Sequence, residues 1–426
     1  MAFQSQVIIA GGGPTGLFLA LRLVLRGIRV TVLEKDAVLH PAVRALGYFG
    51  PVHFALQRAG IFNEVQEKAL FLTGFSWRKR AKQDGPNEKQ WGDLIAAWNP
   101  WELSALEEGD CGCGLLCLGQ DKLREIIMSK LIASDLAQVL LGHEVIGLSQ
   151  GEHSATITTV DVSGAEKQFT APFVIGADGG KSRMRNLMGL PLDGFTWPET
   201  IIASDIYVNF SPPKDGMATV YVIDPVDWAF ICPLAEINYG GSNLYRCTFP
   251  MSPEECEPAV FDDCLKKKFE RMFPGARPLK YELRRCQQYR SHQRQVPNYL
   301  VGRSILVGDA AHLNAPWGGL GLTTGLLDAD SLADALNFVI NDGKPLSILR
   351  SWADARHAVF KDFINPVSTA NKLRCHDTNP DDPKSDPFLK AVMEQDSSAL
   401  QEVNAGLDRM ATDMADIVMG QSLSNL

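Results

Sequence analysis

The feature that most restricts this chain is the run Gly11-Gly12-Gly13-Pro14-Thr15-Gly16, set between the apolar stretch Val7 to Ala10 and a helical apolar pattern from Leu17 to Arg26. Glycines at this G-x-G-x-x-G spacing let a strand turn sharply into a helix. The N–H groups at the helix start then face outward, and a pyrophosphate can approach them without a side chain intervening. A second strand pattern, Arg29 to Leu33, ends at Glu34, 18 residues beyond Gly16, where a carboxylate can accept hydrogen bonds from ribose hydroxyls. Strand, turn, helix, strand and acid together predict a βαβ unit for a dinucleotide with an unphosphorylated adenosine ribose, as in FAD or NAD. The contacts expected here are Gly11, Gly13, Pro14, Thr15, Gly16, Glu34 and Lys35.

A chain of 426 residues exceeds one ordinary core, so two intimately packed domains are expected. Hydrophobic residues at 45% and charged residues at 21% fit a folded globular protein with room for a buried cofactor. A net charge of -9 argues against a nucleic-acid partner, which would need a basic excess. The nine cysteines are an odd number and read as reduced thiols. No charged leader precedes the first strand, and no run reaches the ~18 apolar residues of a membrane span. The expectation is a cytoplasmic protein without a membrane anchor, monomeric or homodimeric.

Along the chain, the βαβ pattern gives way at about residue 71 to a Trp-rich stretch (Trp77, Trp91, Trp98, Trp101) that cannot continue a parallel sheet. Helical periodicity returns over Gln120 to Ile132, then a buried strand, Phe173 to Gly176, precedes Ala177-Asp178-Gly179. Alternating segments at Thr219 to Ile223, Trp228 to Cys232 and Leu244 to Phe249 predict an antiparallel sheet. A last apolar strand, Ser304 to Val307, leads into Gly308-Asp309, a glycine-rich loop and helices, including one over Ile348 to Phe363. The fold class expected is α/β: a Rossmann-like dinucleotide-binding domain with a β-sheet substrate layer and a helical C-terminal region. The dinucleotide-binding domain is assigned to residues 1–70, 106–190 and 286–345, the substrate-binding domain to 71–105 and 191–285, and the helical region to 346–426.

Two segments separate FAD from NAD. Val174-Ile175-Gly176-Ala177-Asp178-Gly179-Gly180-Lys181-Ser182-Arg183-Met184-Arg185 and Leu306-Val307-Gly308-Asp309-Ala310-Ala311-His312 resemble the paired Asp-Gly and Gly-Asp signatures of the flavoprotein aromatic hydroxylases built like para-hydroxybenzoate hydroxylase. With the first glycine motif, all three occur in the family's order, over about residues 5 to 370. The resemblance implies that Asp309 binds the FAD ribityl chain and that Asp178 braces the segment near the pyrophosphate and the reducing nucleotide's path. The loop Leu313-Asn314-Ala315-Pro316-Trp317-Gly318-Gly319-Leu320-Gly321-Leu322-Thr323-Thr324-Gly325 is similar to the family's Pro-x-Gly-Gly-x-Gly loop beside the isoalloxazine. It implies contacts from Gly319, Leu320, Gly321 and Leu322, with Thr323 or Thr324 standing where the family has Asn. Arg44 and Gln120 resemble further contacts to the cofactor.

The family's activity is implied with them: NAD(P)H as transient reductant, O2, and hydroxylation of a phenolic or polyketide-like aromatic through a peroxyflavin. A flavin epoxidase or halogenase relative, and a non-catalytic FAD-binding protein, are the alternatives. Tyr221, Arg246 and Pro316 are the catalytic candidates, and Trp228 and Trp317 the candidates for lining a substrate pocket. His312 directly follows the cofactor strand and reads as structural. Cys111, Cys113 and Cys117 lack the second pair of a zinc site, and no metal is expected.

Overall fold

The computed structural model describes residues 3–39, 47–102, 110–210, 212–213, 217–236, 238 and 241–424. A six-stranded sheet runs in the order Ala137–Leu141, Val30–Glu34, Val7–Ala10, Phe173–Gly176, Ser304–Leu306, Leu300–Val301. The first five strands are parallel, and the last closes an antiparallel hairpin. Val7 to Ala10 and Phe173 to Gly176 are buried throughout, as strands covered on both faces must be. Helices Pro14–Leu25, Gln120–Ile132 and Leu320–Ile340 pack together over this sheet. The first begins at Pro14 rather than Leu17. Proline at the first helical position presets φ, and its missing N–H would have had no helical partner there.

Between residues 143 and 171 the structure inserts an antiparallel meander, His143–Gln150, Ala155–Asp161 and Glu166–Ala171, that the periodicity analysis passes over. Val145, Ala155, Ile157 and Ala171 join the main core and Thr159 is buried with them, while Lys167, Gln168 and Thr170 are exposed.

The second layer is an eight-stranded sheet ordered His312–Leu313, Tyr281–Gln295, Asp193–Val208, Asn243–Met251, Ala229–Pro233, Thr219–Ile223, Phe75–Lys79, Leu94–Trp98. It is antiparallel except where Thr219–Ile223 meets Phe75–Lys79. Strand alternation gives it two faces. Ile202, Ile206, Tyr245, Cys247 and Phe249 pack on the helix Phe261–Met272, whereas Trp77, Ile201, Tyr221, Trp228 and Trp317 form a separate aromatic cluster. Tyr281–Gln295 runs unbroken through residue 286 and pairs with Asp193–Val208 at both ends, with register shifts between Thr196 and Thr200 and between Asp205 and Ile206.

The C-terminal helices are Ser347–Val359, a π turn Phe360–Ile364, Asn365–His376, Pro387–Glu394, Ser397–Asp408 and Met414–Ser424. No helix among the described residues is long and apolar enough to cross a membrane.

Candidate cofactor and substrate site

The parallel register brings the three glycine motifs to one edge of the six-stranded sheet. Ala10 lies beside Leu33 and Gly176, and Gly176 beside Leu306, so Gly11, Glu34, Ala177-Asp178 and Gly308-Asp309 all leave the C-terminal ends of adjacent strands. This is where open α/β sheets bind ligands.

Glycine is required at this edge. Gly11 has φ of +115°, and a Cβ there would stand 2.4 Å from the Ala177 carbonyl oxygen. A Cβ on Gly16 would lie 2.2 Å from the Gly11 oxygen. The Gly12 N–H donates to Glu34 Oε2 at 2.6 Å, and the Asp36 N–H to Oε1 at 3.0 Å, which fixes the Glu34 carboxylate at the strand end. Lys35 beside it is exposed. Gly13 caps the first helix with no side-chain acceptor; the Leu17 N–H bonds the Gly13 oxygen at 3.0 Å, and no side-chain oxygen caps the N–H groups before it. Gly319, at φ of +67°, likewise caps Leu320–Ile340 without a side-chain bond, and Gly321 and Leu322 are half-buried in its first turn. A cradle that any Cβ would fill, uncapped helix starts and a carboxylate at the second strand's end fit FAD.

The motifs also hold one another. Arg185 Nη2 donates to the Gly180 oxygen at 2.9 Å and Nη1 to the Ala310 oxygen at 3.1 Å, which ties the second motif to the third. Thr15 sits against Gly308 and Gly325. Asp178 accepts from Ser182 Oγ and, at 2.9 Å, from the Met184 N–H, so its carboxylate braces its own turn. Asp309 is exposed on the turn after Gly308. Gln120 opens Gln120–Ile132 and is half-buried. Arg44 lies outside the described residues. The hydroxyls of Thr323 and Thr324 turn back onto the Gly319 and Leu320 carbonyls at 2.9 and 2.8 Å, and so are engaged within the helix.

The glycine-rich loop leads into the aromatic cluster. Trp317 is buried with its ring 4.6 Å from Trp228, and the Gly318 backbone bonds the Tyr221 hydroxyl. Tyr221 stacks on Trp77 at 5.6 Å and 10° and touches Phe75 and Phe230. Burial pushes its phenol well above the ordinary range, so it remains protonated and serves as a hydrogen-bond group rather than a base. Pro316 is exposed at the loop's tip. Arg246 is buried in a two-point ion pair with Asp205, its cross-strand neighbour, and Arg285 Nη1 approaches the same carboxylate at 3.6 Å. On the adjoining strand Cys232 faces the cofactor layer, its sulfur 3.9 Å from that of Cys117.

Several site residues escaped the sequence reading. Gln293 accepts the Ala315 N–H at 2.9 Å and donates to Ser368 and Thr369, fastening the loop to Asn365–His376. Lys372 on that helix is buried at 2.5 Å from Glu199, with Nζ 3.8 Å above the Trp197 ring. Asp328 is fully buried and binds His312, Gly308 and Arg356. Two aspartates, Asp328 and Asp330, inside the otherwise largely apolar run Leu326 to Ala333 were the visible signal.

Comparison with known proteins agrees with this geometry. A family described as "FAD binding domain" matches residues 4–366. Para-nitrophenol 4-monooxygenase of Pseudomonas sp. strain WBC-3 is 32% identical over 411 residues, covering 93% of this chain and 96% of the relative. The 6-hydroxy-3-succinoylpyridine 3-monooxygenase of Pseudomonas putida is 32% identical over 391 residues, covering 91% and 93%. The crystal structure of p-nitrophenol 4-monooxygenase from Pseudomonas putida superposes with a TM-score of 0.85 at 31% identity, covering 96% of this chain and 99% of that one. With its three motifs converging at one sheet edge, the chain belongs to the FAD-binding family of flavin-dependent aromatic monooxygenases.

Proposed function

We propose that this protein uses FAD, NAD(P)H and O2 to hydroxylate a compact, single-ring phenolic or hydroxypyridine substrate, in the cytoplasm, as a monomer or homodimer. The observation that carries the reading is the single loop 315–319, which joins a flavin-type helix start at Gly319 to an aromatic wall through Trp317 and Tyr221. The choice of a small hydroxylated ring draws on the two full-length relatives, which are named for p-nitrophenol and for a hydroxylated succinoylpyridine.

Bound FAD supplies the redox chemistry and the activation of oxygen. The chain's residues would bind, orient and shield. Gly11 to Gly16 and Glu34 would hold the adenosine diphosphate half, Asp309 the ribityl chain, and the N–H groups of Leu320 to Leu322 the pyrimidine edge of the ring system. Trp77, Tyr221, Trp228 and Trp317 offer flat apolar surface that admits an aromatic ring and keeps water out. Arg246 and Arg285 share the Asp205 carboxylate on one sheet face and leave one net positive charge there, which would favour an ionised phenol over a neutral one and make its ring more electron-rich. For NAD(P)H, the exposed Lys181 and Arg183 beside the Asp178 turn suit a pyrophosphate.

The test is anaerobic bleaching of the protein-bound flavin by NADPH or NADH, with and without p-nitrophenol and a panel of hydroxyarenes, followed by aerobic product analysis. Bleaching accelerated by one of these rings, with a hydroxylated product, is the expected result. Flavin that neither nucleotide reduces in the presence of any ring would overturn the reading in favour of a non-catalytic FAD-binding protein.

A further inference from the structure

Asp328 lies in the middle of Leu320–Ile340 and is fully buried, yet the cofactor contacts described above do not include it. Its Oδ2 accepts the backbone N–H of Gly308 at 3.0 Å and meets His312 Nε2 at 2.7 Å. Its Oδ1 accepts from Arg356 Nε at 2.7 Å. Arg356 is itself fully buried, and its remaining donors go to the carbonyls of Met410 and Thr324 and to the Thr412 hydroxyl. His312 Nδ1 is buried without a hydrogen-bond partner, so the ring carries its proton on Nε2 and donates it to Asp328. Phe360 and Tyr299 stack against the imidazole at 4.7 and 5.9 Å and hinder it from turning away.

One carboxylate oxygen therefore grips both ends of the segment Gly308-Asp309-Ala310-Ala311-His312, while the other is locked to a guanidinium held by the C-terminal segment. Gly308 has φ of +58°, a conformation that puts Asp309 at the exposed tip of the turn. Burial of Asp328 opposes its ionisation, but Arg356, His312 and the Gly308 N–H outweigh it and hold the carboxyl below its ordinary range, so it is an anion at neutral pH.

We propose that Asp328 is a positioning residue for the flavin half of the cofactor: it sets the Gly308–Asp309 turn, and Arg356 transmits the packing of residues 410–412 to that turn. The inference rests on the FAD site described above. A loss here falls on the riboflavin end of FAD and spares the adenosine diphosphate end, which the first glycine turn holds with separate atoms.

The experiment is titration of apoprotein with FAD, followed by flavin fluorescence, and in parallel with ADP, followed by calorimetry, for the wild type and Asp328→Asn. FAD affinity is expected to fall about tenfold or more, the scale of a lost buried charge-assisted hydrogen bond, with a changed flavin spectrum and ADP affinity within about twofold of wild type. If Asp328→Asn does not fold, the double variant Asp328→Asn/Arg356→Gln removes both buried charges together, and the same pattern is expected of it. Equal losses for FAD and ADP would mean general damage and overturn the proposal, as would FAD affinity unchanged within about twofold in the folded variant. Wild-type apoprotein that takes up no FAD would instead sink the cofactor reading itself.

Discussion

Substituting Gly11 by alanine tests the geometry of the cofactor edge most directly. Its φ of +115° is open to glycine and strained for any side chain, at a cost of about 1–3 kcal/mol. The new Cβ would also stand 2.4 Å from the Ala177 oxygen, 2.6 Å from its carbonyl carbon and 2.9 Å from the Asp178 Cα. These are backbone atoms of the neighbouring parallel strand's exit, and they have no rotamer through which to escape. Overpacking of this kind costs about 1–3 kcal/mol more. Relief requires the first and second motifs to separate at the point where they would jointly enclose the pyrophosphate. If the bound form bears the whole cost of about 2–6 kcal/mol, FAD affinity falls between roughly 30-fold and 20,000-fold. Fluorescence titration of apoprotein measures this, and Gly27→Ala is the control. Gly27 also has a positive φ, +74°, but a Cβ there meets nothing within 4 Å, so that variant should lose about 1 kcal/mol of stability and no FAD affinity. Gly11→Ala protein that binds FAD within about threefold of wild type would refute the argument.

Trp317→Ala opens the seam between the loop and Trp228. Water entry should lower the product formed per NAD(P)H oxidised while flavin content stays unchanged, which paired product and cofactor assays will show. Tyr221→Phe removes the hydroxyl that bonds the Gly318 backbone without changing the stack on Trp77, so the loop should loosen: substrate binding should weaken about fivefold and urea unfolding should show a loss of about 0.5–1.5 kcal/mol, the scale of one net hydrogen bond. Asp227→Asn deserts Lys268, Arg271 and Arg80, whose nitrogens lie 2.8–3.0 Å from the carboxylate, and should cost about 3–5 kcal/mol in urea unfolding. Burial raises the Asp227 carboxyl, but these cations outweigh it and hold it below its ordinary range. Its stabilising contribution is therefore complete above the unfolded-state value near pH 4 and lost as pH falls further, and wild type should lose more stability on acidification below about pH 4 than the Asn variant does.

What the sequence determined by itself was local. The strand Val7–Ala10, the turn at Gly11 to Gly16 and the acid at Glu34 are legible because positive-φ backbone, an uncapped helix start and a short strand each leave a mark within a few residues. The order of the Asp178 and Asp309 motifs was equally readable, and with it the family. Tertiary structure decided which side chains those backbones face. Arg246 stands as a catalytic candidate on a predicted pocket strand, but its pairing with Asp205 depends on a register that alternation alone does not specify. The Asp178 carboxylate turns to Ser182 and Met184, a choice among nearby donors that composition does not rank. The 143–171 meander went unseen because its half-buried strands carry as many Thr, Gln and Lys residues as a loop would. Asp328 reads as an interruption in an apolar helix until folding brings Gly308, His312 and Arg356 to it from separate elements. A buried charge is tolerable only once such partners arrive together, and packing, not sequence proximity, decides when they do.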